Sequence, residues 1–187
     1  MMDKLINLDE KLFLYLNHLG TETWDLFWLS MTNEWMSIPI YLLLSLIILK
    51  KKWFKPAVID GIFIVTVVVF TIAVSHLFKY GIGRPRPCDA GLELRYLSSE
   101  NCVGEFGFVS THASVAFAMM LYIGMTLKKY YSWILWPLMI WVAFFCYSRI
   151  YVGRHYPGDV IGGLIIGFAI AWMFLKIRAL ITKKYQL

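Results

Sequence analysis

Polar positions along this chain gather in short clusters, and long apolar stretches separate them. Trp35 to Leu49 is apolar apart from Ser37 and Ser45. Gly61 to Phe78 is interrupted only by Thr66, Thr71, Ser75 and His76. Tyr131 to Tyr147 and Val160 to Leu175 are two further runs, and Phe106 to Leu127 is apolar after an opening Ser110-Thr111-His112. A spanning helix needs roughly 20 mostly apolar residues, with about 17 as a lower bound. With flanking Trp, Tyr and Lys as interfacial anchors, all five stretches reach that length. Lipid leaves peptide groups no partner outside their own segment, so each run is predicted to be helical. Lys4 to Leu19 differs. Leu5, Leu8, Leu12, Leu16 and Leu19 recur at helical spacing while Asp9, Glu10 and Lys11 gather on another side, which predicts an amphipathic helix lying in the interface. Trp24 to Met31 either continues it or dips into the bilayer.

The expectation is therefore one all-α domain over residues 1–187, a polytopic membrane bundle of five to six spanning helices. Residues 1–31 form an interfacial or re-entrant segment, and 80–108 an extracytoplasmic loop. Composition agrees. Only 16% of the positions are charged and the mean hydropathy is +0.63, against about 25% charged residues in a soluble globule. A short apolar stretch behind a basic start is missing, so a cleavable signal peptide is not expected.

The net charge of +6 has three readings: nucleic acid, anionic lipid or membrane orientation. Position decides between them. Lys50, Lys51, Lys52 and Lys55, then Lys128 and Lys129, then Lys176, Arg178, Lys183 and Lys184 all fall on one side of a five-span chain. The positive-inside rule makes that side the cytoplasm. The basic balance is thus topology, and no nucleic-acid partner is expected. Lys79, Arg84, Arg86, Arg95, Arg149 and Arg154 fall on the opposite side, against the orientation bias, which asks for a functional reason.

Chain parity puts Lys79, Arg86, Ser110, Thr111, His112, Arg149, His155 and Asp159 on that same face. The inventory suits a phosphate ester. Lysine and arginine neutralise phosphoryl oxygens, arginine with two parallel hydrogen bonds. Ser110 stands where a helix starts, so N–H groups there point at an anion. Pro157 suits a first helical position, which sets His155 just ahead of a helix and Asp159 in its first turn. That carboxylate could hold one ring nitrogen and leave the other free to attack.

Lys79-x6-Arg86-Pro87, Ser110-x-His112 and Ser148-Arg149-x5-His155-x3-Asp159 resemble the three signature motifs of the type 2 phosphatidic acid phosphatase (PAP2) superfamily, which also includes vanadium haloperoxidases. The resemblance implies a PAP2/haloperoxidase-like helical core. It implies a histidine nucleophile at His155 forming a phosphohistidine, Asp159 orienting it, and His112 as the acid and later the base. Lys79, Arg86, Ser110, Thr111 and Arg149 would bind the phosphate, with no metal and no cofactor. The family's second motif usually reads Pro-Ser-Gly-His; here it is Val109-Ser110-Thr111-His112. Among family substrates, undecaprenyl diphosphate is the first expectation for so short a chain, with phosphatidylglycerophosphate, phosphatidate and lipid A phosphates as alternatives. The implied setting is a bacterial inner membrane with the site facing outward. A non-catalytic bundle would explain the hydropathy but not the outward cations.

Other residues have plainer readings. His76 is expected as a neutral packed histidine, and Asp60 as a cap near Lys55. Gly163 and Gly167 would let a neighbouring helix approach. Arg84 and Arg154 are open between a second phosphate, lipid head groups and water. Cys146 reads as core, while Cys88 and Cys102 bracket the outer loop and could pair on an oxidising face. The oligomeric state is not encoded in any motif.

Overall fold

The computed structural model describes residues 2–52, 54–95 and 106–185. Among these the chain forms α1 Met2–His18, α2 Glu22–Thr32, α3 Ile38–Lys51, α4 Phe54–Ile82, α5 Thr111–Leu127, α6 Leu135–Tyr151 and α7 Pro157–Tyr185. Short 3-10 turns occupy Glu34–Ser37 and Pro87–Asp89. Extended pairing among the described residues is confined to one bridge between Pro85 and Phe106.

Helices α3 to α7 follow the five predicted runs in order. The α4 and α7 helices have 29 residues each and are long and apolar enough to cross a membrane alone. At 1.5 Å per residue each is about 43 Å long, more than the roughly 30 Å hydrocarbon core. The α5 and α6 helices are shorter apolar helices of 17 residues. Helix α2 and the segment from Trp35 to Lys51 are together long and apolar enough to cross a membrane, as a pair bent by 74°. The bend falls where Asn33 accepts a hydrogen bond from the Trp35 N–H at 3.0 Å, a side-chain turn that competes with helix continuation.

Helix limits depart from the apolar runs for local reasons. Phe106 to Val109 stays outside α5, because the Ser110 hydroxyl oxygen accepts from the Ala113 N–H at 3.4 Å and so caps the helix there. Tyr131 to Ile134 belongs to a turn before α6, although its aromatic composition suits a span. Helix α6 continues four residues beyond Tyr147 and so carries Arg149 in its last turn. Helix α4 runs through Ile82, into the region predicted as a loop from residue 80.

The outward faces are apolar. Val65, Val69, Ile165, Phe168 and Trp172 are exposed on α4 and α7, the distribution expected where the solvent is lipid. Helix α5 is the hub, packed on α4, α6 and α7. Its inner face is small or slender, with Ala113, Ala116, Ala118 and Met120 buried. Gly163 extends this economy to α7. A Cβ there would lie 2.7 Å from the Ser110 carbonyl oxygen, so α7 reaches the start of α5 only with glycine at that place.

Two polar residues sit differently from their sequence readings. Asp60 is not a cap beside Lys55. Because α4 begins at Phe54, seven residues ahead of the apolar run, position 60 is drawn inside the bundle, where Asp60 is fully buried and pairs with Lys52 and with Arg178 of α7. His76 is exposed rather than packed, with its ring edge-on to Tyr80.

Candidate active site

The three motifs meet because main-chain hydrogen bonds tie the ends of their elements. The Gly107 N–H donates to the Arg84 carbonyl at 2.7 Å, which joins the first motif to the segment before α5. The Ser110 N–H donates to the Asp159 carbonyl at 3.0 Å, which sets the starts of α5 and α7 side by side. After α6 the chain doubles back so tightly that the Arg149 carbonyl accepts from the N–H groups of Arg154 and His155, at 3.0 and 3.3 Å. His155 is thereby returned to the helix end that holds Arg149. The Phe106 carbonyl accepts from Lys79 Nζ at 3.1 Å and from Arg86 Nε at 3.4 Å, which keeps those two cations beside each other.

His155 and Asp159 are fully buried. Imidazole Nδ1 lies 3.6 Å from Asp159 Oδ2, and that oxygen also accepts the Tyr156 N–H at 3.0 Å. Burial drives the His155 imidazole well below its usual titration range, and the positive charges of Arg149, Arg86, Lys79 and His112 push it further the same way. The Lys79, Arg86 and Arg149 cations are thus all directed at one imidazole. Ser110 is fully buried, and Thr111 and His112 are half-buried in the first turn of α5. Ser110 uses its oxygen as a cap, which leaves its hydroxyl hydrogen available to an anion. Lys79, Arg86, Ser110, Thr111, His112, Arg149, His155 and Asp159 thus sit at this end of the bundle. The Cys88–Cys102 pairing is not among the described contacts, because Cys102 lies outside the described residues; Cys146 is a buried free thiol.

Other contacts here carry no sequence signature. The Arg149 guanidinium donates to the Thr32 hydroxyl at 2.6 Å and to the Thr32 carbonyl at 3.3 Å, which ties the end of α2 to the site. Asn17 of α1 donates to the Tyr151 carbonyl at 2.8 Å, and Asp25 of α2 accepts from the Tyr151 hydroxyl and pairs with Arg95. Arg84 bonds Asp9 and Asp159 at once, at 2.7 and 2.9 Å.

Beside His112 lies a cavity of about 340 Å³ among α3, α4, α5 and α6. Tyr41, Val68, Ile72, Val115 and Phe145 give it apolar walls, Thr111 and His112 form its polar end, and His76 stands at its edge. Among the described residues, no three His, Cys, Asp or Glu side chains gather as a metal ion would require. The donor set here is cationic and fits an anion.

Comparison with known proteins agrees with this geometry. The family model described as PAP2 superfamily matches residues 60–183. The chain belongs to the PAP2 superfamily. This PAP2 phosphatase is 29% identical over 190 residues to a lipid A 4'-phosphatase of Bacteroides thetaiotaomicron, covering 100% of this chain and 84% of that one. It is 35% identical over 74 residues to the undecaprenyl-diphosphatase BcrC of Bacillus subtilis, covering 40% of this chain and 36% of that one. The crystal structure of a transmembrane PAP2 type phosphatidylglycerolphosphate phosphatase from Bacillus subtilis superposes with a TM-score of 0.74 at 17% identity, over 93% of this chain and 86% of that one. That likeness gives the fold; the family match and the apolar helices together make this an integral membrane phosphatase.

Proposed function

We propose that the PAP2 phosphatase removes phosphate from a membrane lipid at the extracytoplasmic face, and that the substrate is a phosphomonoester of the lipid A class. The observation that carries the reading is the buried His155 backed by Asp159 under the converging positive charges of Lys79, Arg86 and Arg149. Phosphoryl transfer needs chiefly positioning and charge stabilisation. Asp159 faces Nδ1, so Nε2 is the attacking atom. It bonds to phosphorus as the phosphorus–oxygen bond to the lipid breaks, and His112 gives its proton to the departing lipid oxygen. Lys79, Arg86, Arg149 and the Ser110 hydroxyl hold the phosphoryl oxygens. Water then gives a proton to His112 and its oxygen to phosphorus, which returns His155 and frees inorganic phosphate.

The apolar cavity beside His112 suits a lipid tail arriving sideways, with Thr111 and His112 at the phosphate end. End-to-end similarity to a lipid A 4'-phosphatase supports the lipid A class. The local match to BcrC supports undecaprenyl diphosphate as a second reading. The lysine clusters favour a cytoplasmic-membrane orientation with the site outward.

A panel of lipid A, undecaprenyl diphosphate, phosphatidate and phosphatidylglycerophosphate, offered to purified protein in detergent, tests this. Lipid A is expected to release phosphate with the highest kcat/KM, and chelator is expected to leave the rate unchanged. No release from any lipid phosphate, or loss of activity in chelator, refutes the proposal.

The nucleophile must also be neutral. A lowered titration means the proton leaves at lower pH, so His155 is expected to be neutral at pH 6.5 and for some distance below it. Nitrogen-15 NMR of histidine-labelled protein in detergent checks this, with His155→Ala assigning the signal. A ligand-free His155 that titrates at or above pH 6.5 would contradict it.

A further inference from the structure

The catalytic carboxylate is not held by its own helix alone. Asp159 Oδ2 faces His155, and its second oxygen, Oδ1, accepts from Arg84 NH1 at 2.9 Å. The same NH1 donates to Asp9 Oδ2 at 2.7 Å, and the guanidinium lies over the Tyr156 ring with Cζ 3.9 Å from its centroid. Asp9 Oδ1 accepts the Gly158 N–H, also at 2.7 Å, at the start of α7. A Cβ on Gly158 would stand 2.7 Å from Asp9 Oδ2, so glycine there is what lets the carboxylate come close. One guanidinium thus joins an acid on α1 to the acid behind the nucleophile, across 150 residues of chain.

Charge balance gives each member a task. Arg84 fixes the plane of the Asp159 carboxylate, which turns Oδ2 toward Nδ1. A guanidinium this close would by itself draw on the negative charge that must support the imidazole when it becomes cationic on attack. Asp9 offsets that pull, so Asp159 keeps its effect on His155. Helix α1 otherwise shows exposed Leu5, Leu8 and Leu12 to its surroundings.

We infer that Arg84, anchored by Asp9 of the interfacial helix, is a positioning residue that sets the orientation and charge of Asp159 behind His155. The inference rests on the proposed nucleophilic role of His155.

The test uses full-length Arg84→Gln, Arg84→Lys and Asp9→Asn in detergent, with two readouts. Arg84→Gln and Asp9→Asn are expected to lower kcat by about 10²-fold, the scale of a small misplacement of a reacting group, with KM changed by less than about threefold. Arg84→Lys keeps the charge and is expected to recover part of kcat. The second readout is the nitrogen-15 spectrum of His155 without substrate. Wild-type protein is expected to hold the proton on Nδ1, and both Arg84→Gln and Asp9→Asn are expected to move the ring-nitrogen shifts toward a tautomer mixture. A purely structural role would lower thermal stability without that movement. Wild-type kcat in Arg84→Gln, or unchanged His155 shifts in both variants, overturns the inference. Failure of the parent reading looks different: His155→Ala would stay active while the spectra still respond.

Discussion

His155→Ala is expected to end phosphate release from lipid substrate, with kcat lower by at least about 10⁴-fold, while the protein is still made and inserted. Removing the nucleophile of a covalent mechanism leaves only the binding and charge-stabilising groups. Here those groups are held without the imidazole. The Phe106 carbonyl keeps Lys79 and Arg86 together, and Thr32 holds Arg149. The variant should therefore still bind the phosphate while failing to turn it over. Rapid-quench trapping gives a second view: wild-type protein should accumulate acid-labile phosphate on histidine, and His155→Ala should not. Turnover within tenfold of wild type would remove the basis of the mechanism.

The second large effect belongs to stability. Asp60 is fully buried between Lys52 and Arg178, and Lys52 is itself almost fully buried. Asp60→Ala would leave two cations facing one another with no counter-charge. Breaking a buried pair in this way costs about 3–5 kcal/mol. For a chain of this size that corresponds to a Tm lower by on the order of 10 °C. Replacing the whole group, Lys52→Met with Asp60→Leu and Arg178→Met, should recover most of the loss, because no buried charge is then left alone. Scanning fluorimetry in detergent reads both. Equal Tm values for Asp60→Ala and wild-type protein would show that the cluster contributes nothing.

The chemistry of this chain was legible because it is written at fixed spacings. His155 and Asp159 lie one helical turn apart across the start of α7, and Ser110 and His112 flank the start of α5, so a linear pattern captures both. The spans were legible because lipid tolerates little else. The contacts around the site were not. Asp9 meets Arg84, and Thr32 meets Arg149, across long separations set by how α1 and α2 dock, which no periodicity encodes. Asp60 was misplaced for a related reason. Apolar runs mark where a helix meets lipid, whereas α4 begins earlier, among residues that follow a lysine cluster. The turn before α6 shows the converse, since aromatic anchors at an interface have the same composition as a span.

Thr111 stands where the family pattern has glycine, at the polar end of the 340 Å³ cavity, and its buried hydroxyl has no hydrogen-bond partner among the described residues. A glycine offers no such group. An inhibitor that fills the cavity and sets an acceptor against Thr111 Oγ1 would gain a contact that glycine-bearing family members cannot supply, and with it a route to selectivity within the superfamily.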